Sequence, residues 1–171
     1  MKISITILTA FLLVACASYS GRGLKPDESR IEDVLRVMGS PAMQWQDPDG
    51  TQQLAYPRGM YTFMVQIGAD GRMQSIENVM HIKTFKRIHP DMTKSEVLRI
   101  LGPSESSGTA YYKARDELVW EWRYCDEWNE RARFEVLFDG SKEVVRSTMS
   151  LTDAQRGLCG PDGSCMCGHA K

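Results

Sequence analysis

The sequence predicts an α+β protein of two tandem units, each with two short helices packed on a three-stranded antiparallel sheet. Three observations lead there: an internal repeat, helical segments with matching stop signals, and strand runs of period two that end in Asp-Gly. The repeat is clearest in Ile31-Glu-Asp-Val-Leu-Arg-Val-Met-Gly39, which aligns without a gap on Lys94-Ser-Glu-Val-Leu-Arg-Ile-Leu-Gly102. Each stretch is followed by proline, at Pro41 and Pro103. Further on, Tyr61-Thr-Phe-Met-Val-Gln-Ile67 with Asp70-Gly71 parallels Ala132-Arg-Phe-Glu-Val-Leu-Phe138 with Asp139-Gly140. Two copies of one unit, roughly 60 residues each, therefore organise the chain.

In the first copy Ile31, Val34, Leu35 and Met38 recur at helical spacing, Gly39 terminates the segment, and Asp27 or Ser29 can cap it. In the second, Thr93 and Glu96 make a Thr-x-x-Glu capping box and Met92 can staple against Val97. Val97, Leu98 and Leu101 form the apolar stripe, which Gly102 and Pro103 stop. Asn78 to Ile88 reads as a further short helix with Val79, Ile82 and Phe85 on one side. Leu118, Trp120, Trp122 and Tyr124 alternate with Val119, Glu121, Arg123 and Cys125, the pattern of a half-buried strand. Phe134, Val136 and Phe138 alternate likewise, as do Tyr61, Phe63, Val65 and Ile67, and the Asp-Gly pairs are hairpin signals. Helices on one face of such a sheet give the α+β class.

Composition narrows the function classes. The chain is 42% apolar and 25% charged, as an ordinary globular protein is. A net charge of −1 and a pI near 6.3 lack the basic footprint that nucleic-acid binding leaves. The ten methionines are dispersed, as adaptable core filler is.

The first residues resemble an export signal. Lys2 supplies a positive charge and the run from Ile3 to Val14 is mostly apolar, too short to span a bilayer, which takes roughly 20 residues. Leu13-Val14-Ala15-Cys16 then resembles the lipobox of bacterial lipoproteins. That resemblance implies cleavage between Ala15 and Cys16 and lipidation of the Cys16 thiol. Several acyl chains, at roughly 0.8 kcal/mol per buried CH₂, make such an anchor durable. Ala17 follows the cysteine in place of the Asp that marks inner-membrane retention, which implies the periplasmic face of the outer membrane. Residues 1–15 are thus read as signal, 16–23 as lipidated tether, 24–77 and 78–149 as the two repeats, and 150–171 as a Cys-rich tail.

Ile88-His-Pro-Asp-Met-Thr-Lys-Ser-Glu-Val97, Leu101-Gly-Pro103, Trp120-x-Trp122 and the strand from Phe134 to Gly140 resemble the BamE (SmpA/OmlA) lipoprotein domain. Its pattern is Gly-Met-Thr, a Val-containing helix, Leu-Gly-x-Pro, an aromatic strand and a strand ending in Asp-Gly. Here Asp91 replaces the Gly, Gly102 and Pro103 are adjacent, and the first copy lacks Met-Thr. Two units in tandem also resemble the layout of the β-lactamase inhibitor protein, which binds its partner on a concave sheet. The resemblances imply a non-catalytic scaffold among periplasmic or outer-membrane proteins, within the barrel-assembly machinery for the first and as a tethered inhibitor-type module for the second.

No enzyme signature stands out and no cofactor is implied. His81, His89 and His169 have no metal-ligand spacing, and no Gly-x-Ser-x-Gly elbow occurs. Tyr111, Tyr112 and Trp128 lie in polar surroundings and are candidates for a partner surface, since aromatics are enriched at interfaces. The tail carries Cys159, Cys165 and Cys167, which with Cys125 make four thiols apart from Cys16. In an oxidising compartment these form disulfides, and four cysteines allow three pairings between which the sequence does not choose. The competing reading is a metal held by Cys159, Cys165, Cys167 and His169, in a spacing unlike the usual zinc patterns.

Overall fold

The structure, a computed structural model, describes residues 20–160 and 164–168. Ala15, Cys16 and His169 lie outside them. The expected fold class is corrected: the protein is mostly β, with two four-stranded antiparallel sheets and few short helices. In chain order the elements are α1 (Ile31–Met38), β1 (Met43–Gln46), β2 (Gln52–Arg58), β3 (Tyr61–Ile67), β4 (Met73–Asn78), α2 (Ile82–Phe85), α3 (Lys94–Leu101), β5 (Glu105–Tyr112), β6 (Glu117–Cys125), β7 (Arg131–Asp139) and β8 (Val145–Thr152). Each sheet is a simple meander, β1-β2-β3-β4 and β5-β6-β7-β8. Only one eight-residue helix serves each unit; the stretch read as a helix from Asn78 is the end of β4, an extended link and the single turn α2.

The repeat survives in the hydrogen bonds. Gly39 and Gly102 end α1 and α3 with φ of 79° and 72°, and their N–H groups donate to Leu35 O at 2.9 Å and Leu98 O at 2.8 Å. A positive φ suits glycine, which has no Cβ to clash. Asp33 and Glu96 hold the same place in the first helical turn. Their carboxylates accept the Arg30 and Thr93 N–H groups at 3.0 Å and 2.7 Å. Arg30 and Thr93 also make equivalent bridges, to Arg72 and Val144, at the start of each fourth strand. The ladders slip at matching points, between Gln66 and Ile67 and between Leu137 and Phe138. Neither Asp27 nor Ser29 caps α1: Asp27 sits at φ 62° and Ser29 Oγ accepts the Lys25 N–H at 2.9 Å.

Both helices bury an i, i+4 pair, Val34 with Met38 and Val97 with Leu101. Leu35 is exposed and Leu98 only half-buried, so the apolar stripe is narrower than the sequence suggests. On one side of the first sheet, Leu54, Tyr56, Val65, Ile67 and Met73 close a core with Val34 and Met38. Ala55 and Met64 point the other way, into a second core with Val97, Leu101, Phe85, Trp122, Tyr124, Phe134, Val136 and Phe138. Thus α3 lies between the two sheets. Its close approach depends on Gly102, where a Cβ would stand 3.0 Å from Thr62 Cγ2 and 3.4 Å from Ala55 Cβ. Gln53 Nε2 donates to Arg99 O at 2.8 Å, and the Arg99 guanidinium pairs with Asp47 and sits 5.6 Å from the Trp45 ring centre. Among the described residues no helix is long and apolar enough to cross a membrane.

Candidate protein-binding cleft

The far end of the second sheet carries an open cleft of about 670 Å³. Its floor includes Tyr124 and Thr152, which flank the buried Ala132 in one ladder row. Ala132 stands where the first copy has Tyr61 and is buried in the core beneath the cleft. One wall is His81, Ile82 and Lys83 at the start of α2; the other is the β6–β7 turn with Asp126, Glu127 and Trp128. His81 Nδ1 accepts the Thr84 N–H at 3.3 Å and so caps the turn that presents Ile82. Phe85 stacks on Phe134 at 4.2 Å between ring centres and meets Tyr124 edge-on at 4.8 Å, which fixes α2 over the sheet.

Trp128 is 75% exposed, yet its backbone is firmly held. Asp126 Oδ1 accepts the N–H groups of Trp128 at 2.9 Å and Glu130 at 2.8 Å, and Asn129 takes φ 62°. This is an Asx-type turn, in which a carboxylate replaces a backbone acceptor and Asn tolerates the left-handed position. The tail braces it from outside. Residues 164–167 return beside the start of β7, where Arg131 N–H donates to Cys165 O at 2.7 Å and Cys167 N–H to Asn129 O at 2.8 Å. A disulfide joins Cys125 to Cys167 with Cα atoms 6.1 Å apart, and a second joins Cys159 to Cys165 at 4.8 Å.

Beneath the tail, the face of the second sheet turned away from α3 is charged. Glu121, 4% exposed, takes Arg133 Nη1 at 2.7 Å and Arg156 Nη1 at 3.3 Å. Arg156 also pairs with Glu135, and Arg133 Nε donates to Asp153 at 2.8 Å. Burial works against the charge of Arg133, but the bond to Asp153 and the nearby Glu121 outweigh it and hold its pKa above the ordinary value. Arg131 Nε is buried without a hydrogen-bond partner, its nearest carboxylate oxygen being Asp153 Oδ2 at 3.7 Å.

The sequence's three candidate aromatics are not brought together. Tyr111 and Tyr112 close β5 at the opposite end of the sheet, roughly 30 Å from Trp128 along a nine-residue strand. They are 56% and 47% exposed, but the Tyr111 hydroxyl donates to Asp116 at 2.7 Å and the Arg115 guanidinium lies 4.6 Å from the Tyr112 ring centre. Bonds from Ser141 and Tyr111 hold the Asp116 carboxyl below its usual range. Cys125 lines the Trp128 cleft, while Cys159, Cys165 and Cys167 belong to the tail that braces it. Among the described residues no group of three His, Cys, Asp or Glu side chains is placed to hold a metal ion. Ile82, Tyr124, Ser150 and Gln155 were not singled out in the sequence, since the first two read as core positions and the others as ordinary polar residues. No local signal in the sequence sets them apart.

No family model matches the chain, and neither a curated protein nor a solved structure matches it.

Proposed function

We propose that the chain is a lipid-anchored lipoprotein of the outer membrane's periplasmic face whose body is a non-catalytic protein-binding module, and that it grips its partner at the Trp128 cleft. The observation that carries the binding site is an exposed indole on a braced turn, beside a hollow floored by Tyr124 and walled by Ile82. Aromatic side chains dominate interface energetics when they are already ordered, because little conformational freedom is lost on binding. The anchor rests on the Leu13-to-Cys16 match, and the scaffold role rests on the BamE-like motifs.

Co-purification from solubilised membranes tests the reading, with wild type compared against Trp128→Ala by quantitative mass spectrometry. The expected result is a discrete partner set depleted about tenfold by the substitution, the equivalent of about 1.4 kcal/mol. Barrel-assembly components in that set place the chain with BamE-like scaffolds; a single soluble enzyme favours the inhibitor-type module. Identical capture by both proteins removes the site.

A further inference from the structure

Resting on Trp128 as the contact point, we infer that the Cys125–Cys167 disulfide is a redox clasp that sets how firmly the turn at this site is braced. The tail is attached in two parts of different strength. Its first part, from Asp153 to Leu158, is held by ion pairs from Asp153 and Arg156 to the buried sheet face, by Asp153 N–H to Arg131 O at 2.7 Å and by Leu158 N–H to Asp153 O at 2.8 Å. The returning part has no place in either hydrophobic core. It is tied to the sheet by main-chain bonds at Asn129 and Arg131, by Asn129 Nδ2 to Cys167 O at 3.3 Å, by Arg131 Nη2 to Ser164 O at 2.7 Å and by the Cys125–Cys167 disulfide, while Cys159–Cys165 joins it only to the preceding part of the tail.

Both ends of the disulfide bear on the site: Cys125 lines the cleft, and Cys167 bonds the residue next to Trp128. Cys125 is half-buried while Cys167 is buried, which makes Cys125 the more open end of the disulfide. The reductant is a dithiol. Its thiolate attacks Cys125 Sγ, forming a mixed disulfide and releasing Cys167 as thiolate; its second thiol then displaces Cys125 and closes the reductant's own disulfide. Two electrons and two protons pass to Cys125 and Cys167. The few remaining main-chain bonds then open in local equilibrium, and the turn loses its brace while the sheets stay folded.

Hydrogen exchange with mass spectrometry on the purified full chain tests the clasp without any partner. With dithiothreitol, exchange in segments covering Asn129 to Arg131 and Ser164 to Gly168 should quicken at least tenfold, with β6 and β7 unchanged from Val119 to Trp122 and from Phe134 to Phe138. The Cys125→Ser/Cys167→Ser protein should show the same opening without reductant, and Cys159→Ser/Cys165→Ser should not. Unchanged exchange on reduction, loss of protection throughout the second sheet, or opening equally in Cys159→Ser/Cys165→Ser would each overturn the clasp. Failure here leaves the co-purification result standing, so the two readings fail separately.

Discussion

In β3 Met64 pairs across the ladder with Ala55, and both side chains turn to the face that α3 covers. At the corresponding place in β7, Glu135 pairs with Glu121, and that face meets Arg133 and Arg156. One architecture thus has two kinds of back. The apolar back needs a helix close against it, which the next unit supplies. The charged back needs counter-ions brought close, and the chain beyond β8 supplies Asp153 and Arg156. A buried ion cluster contributes less to stability than apolar packing of equal volume, since desolvating each charge offsets its attraction. The tail that carries those ions is accordingly also cross-linked.

Cross-linking gives the largest expected effect. In the chain-entropy model the 42-residue separation of Cys125 and Cys167 corresponds to about 3–4 kcal/mol, and the 6-residue separation of Cys159 and Cys165 to about 2 kcal/mol. Urea unfolding of the two double-serine proteins should rank them in that order; a reversed ranking breaks the view that Cys125–Cys167 is the principal fastening. Next is the helix between the sheets. Leu101→Ala should cost roughly 3 kcal/mol by leaving a cavity, and Leu98→Ala about 1 kcal/mol or less. Equal losses would mean that α3 is not packed as described.

The ion cluster should respond more moderately. Arg133→Met leaves Glu121 and Asp153 short of a counter-ion in a largely buried setting, for about 2 kcal/mol. Replacing Glu121, Glu135, Arg133 and Arg156 together by apolar residues should restore most of that loss, as the equivalent apolar back would. The smallest effect is at Glu96, whose carboxyl is held below its ordinary value of 4.5 by hydrogen bonds from Thr93. A depressed folded-state pKa contributes stability that is present above about pH 4.5 and lost as pH falls through the folded value. Glu96→Gln should therefore flatten the acid limb of the stability curve below that pH, and an unchanged limb would mean the cap is not formed. Asp33, lowered chiefly by the Arg30 N–H, is its counterpart in the first copy.

Much of this was legible in the residues. The β3, β6 and β7 ladders occupy the alternating runs, and Thr93 with Glu96 forms the box its spacing suggests. Of the five strands that no alternating run marks, β1 and β8 carry weak signals for physical reasons. The β1 segment is four residues long with Gln44 and Gln46 outward, and β8 is an edge strand whose hydroxyls face water on both sides. Val79, Ile82 and Phe85 have helical spacing, but Asn78 stays in the β4 ladder opposite Phe63, so the helix begins only at Ile82. Trp128 could be flagged from its polar surroundings, whereas its separation from Tyr111 and Tyr112 depends on which hairpin ends share an edge. The cysteine pairing depends on where the tail returns, which local sequence does not encode.

The two central hairpin turns differ as the two backs do. Gly59 and Met60 join β2 to β3 in two residues, while Asp126 to Glu130 joins β6 to β7 and raises Trp128 into solvent. The working end of the molecule should therefore be the second turn alone. A photoreactive benzoyl-phenylalanine placed at position 128 or at position 60 in cells measures this directly. Crosslinks to a discrete protein from position 128, and none from position 60, are the expected result. Equal crosslinking from both positions, or none from position 128, would contradict it.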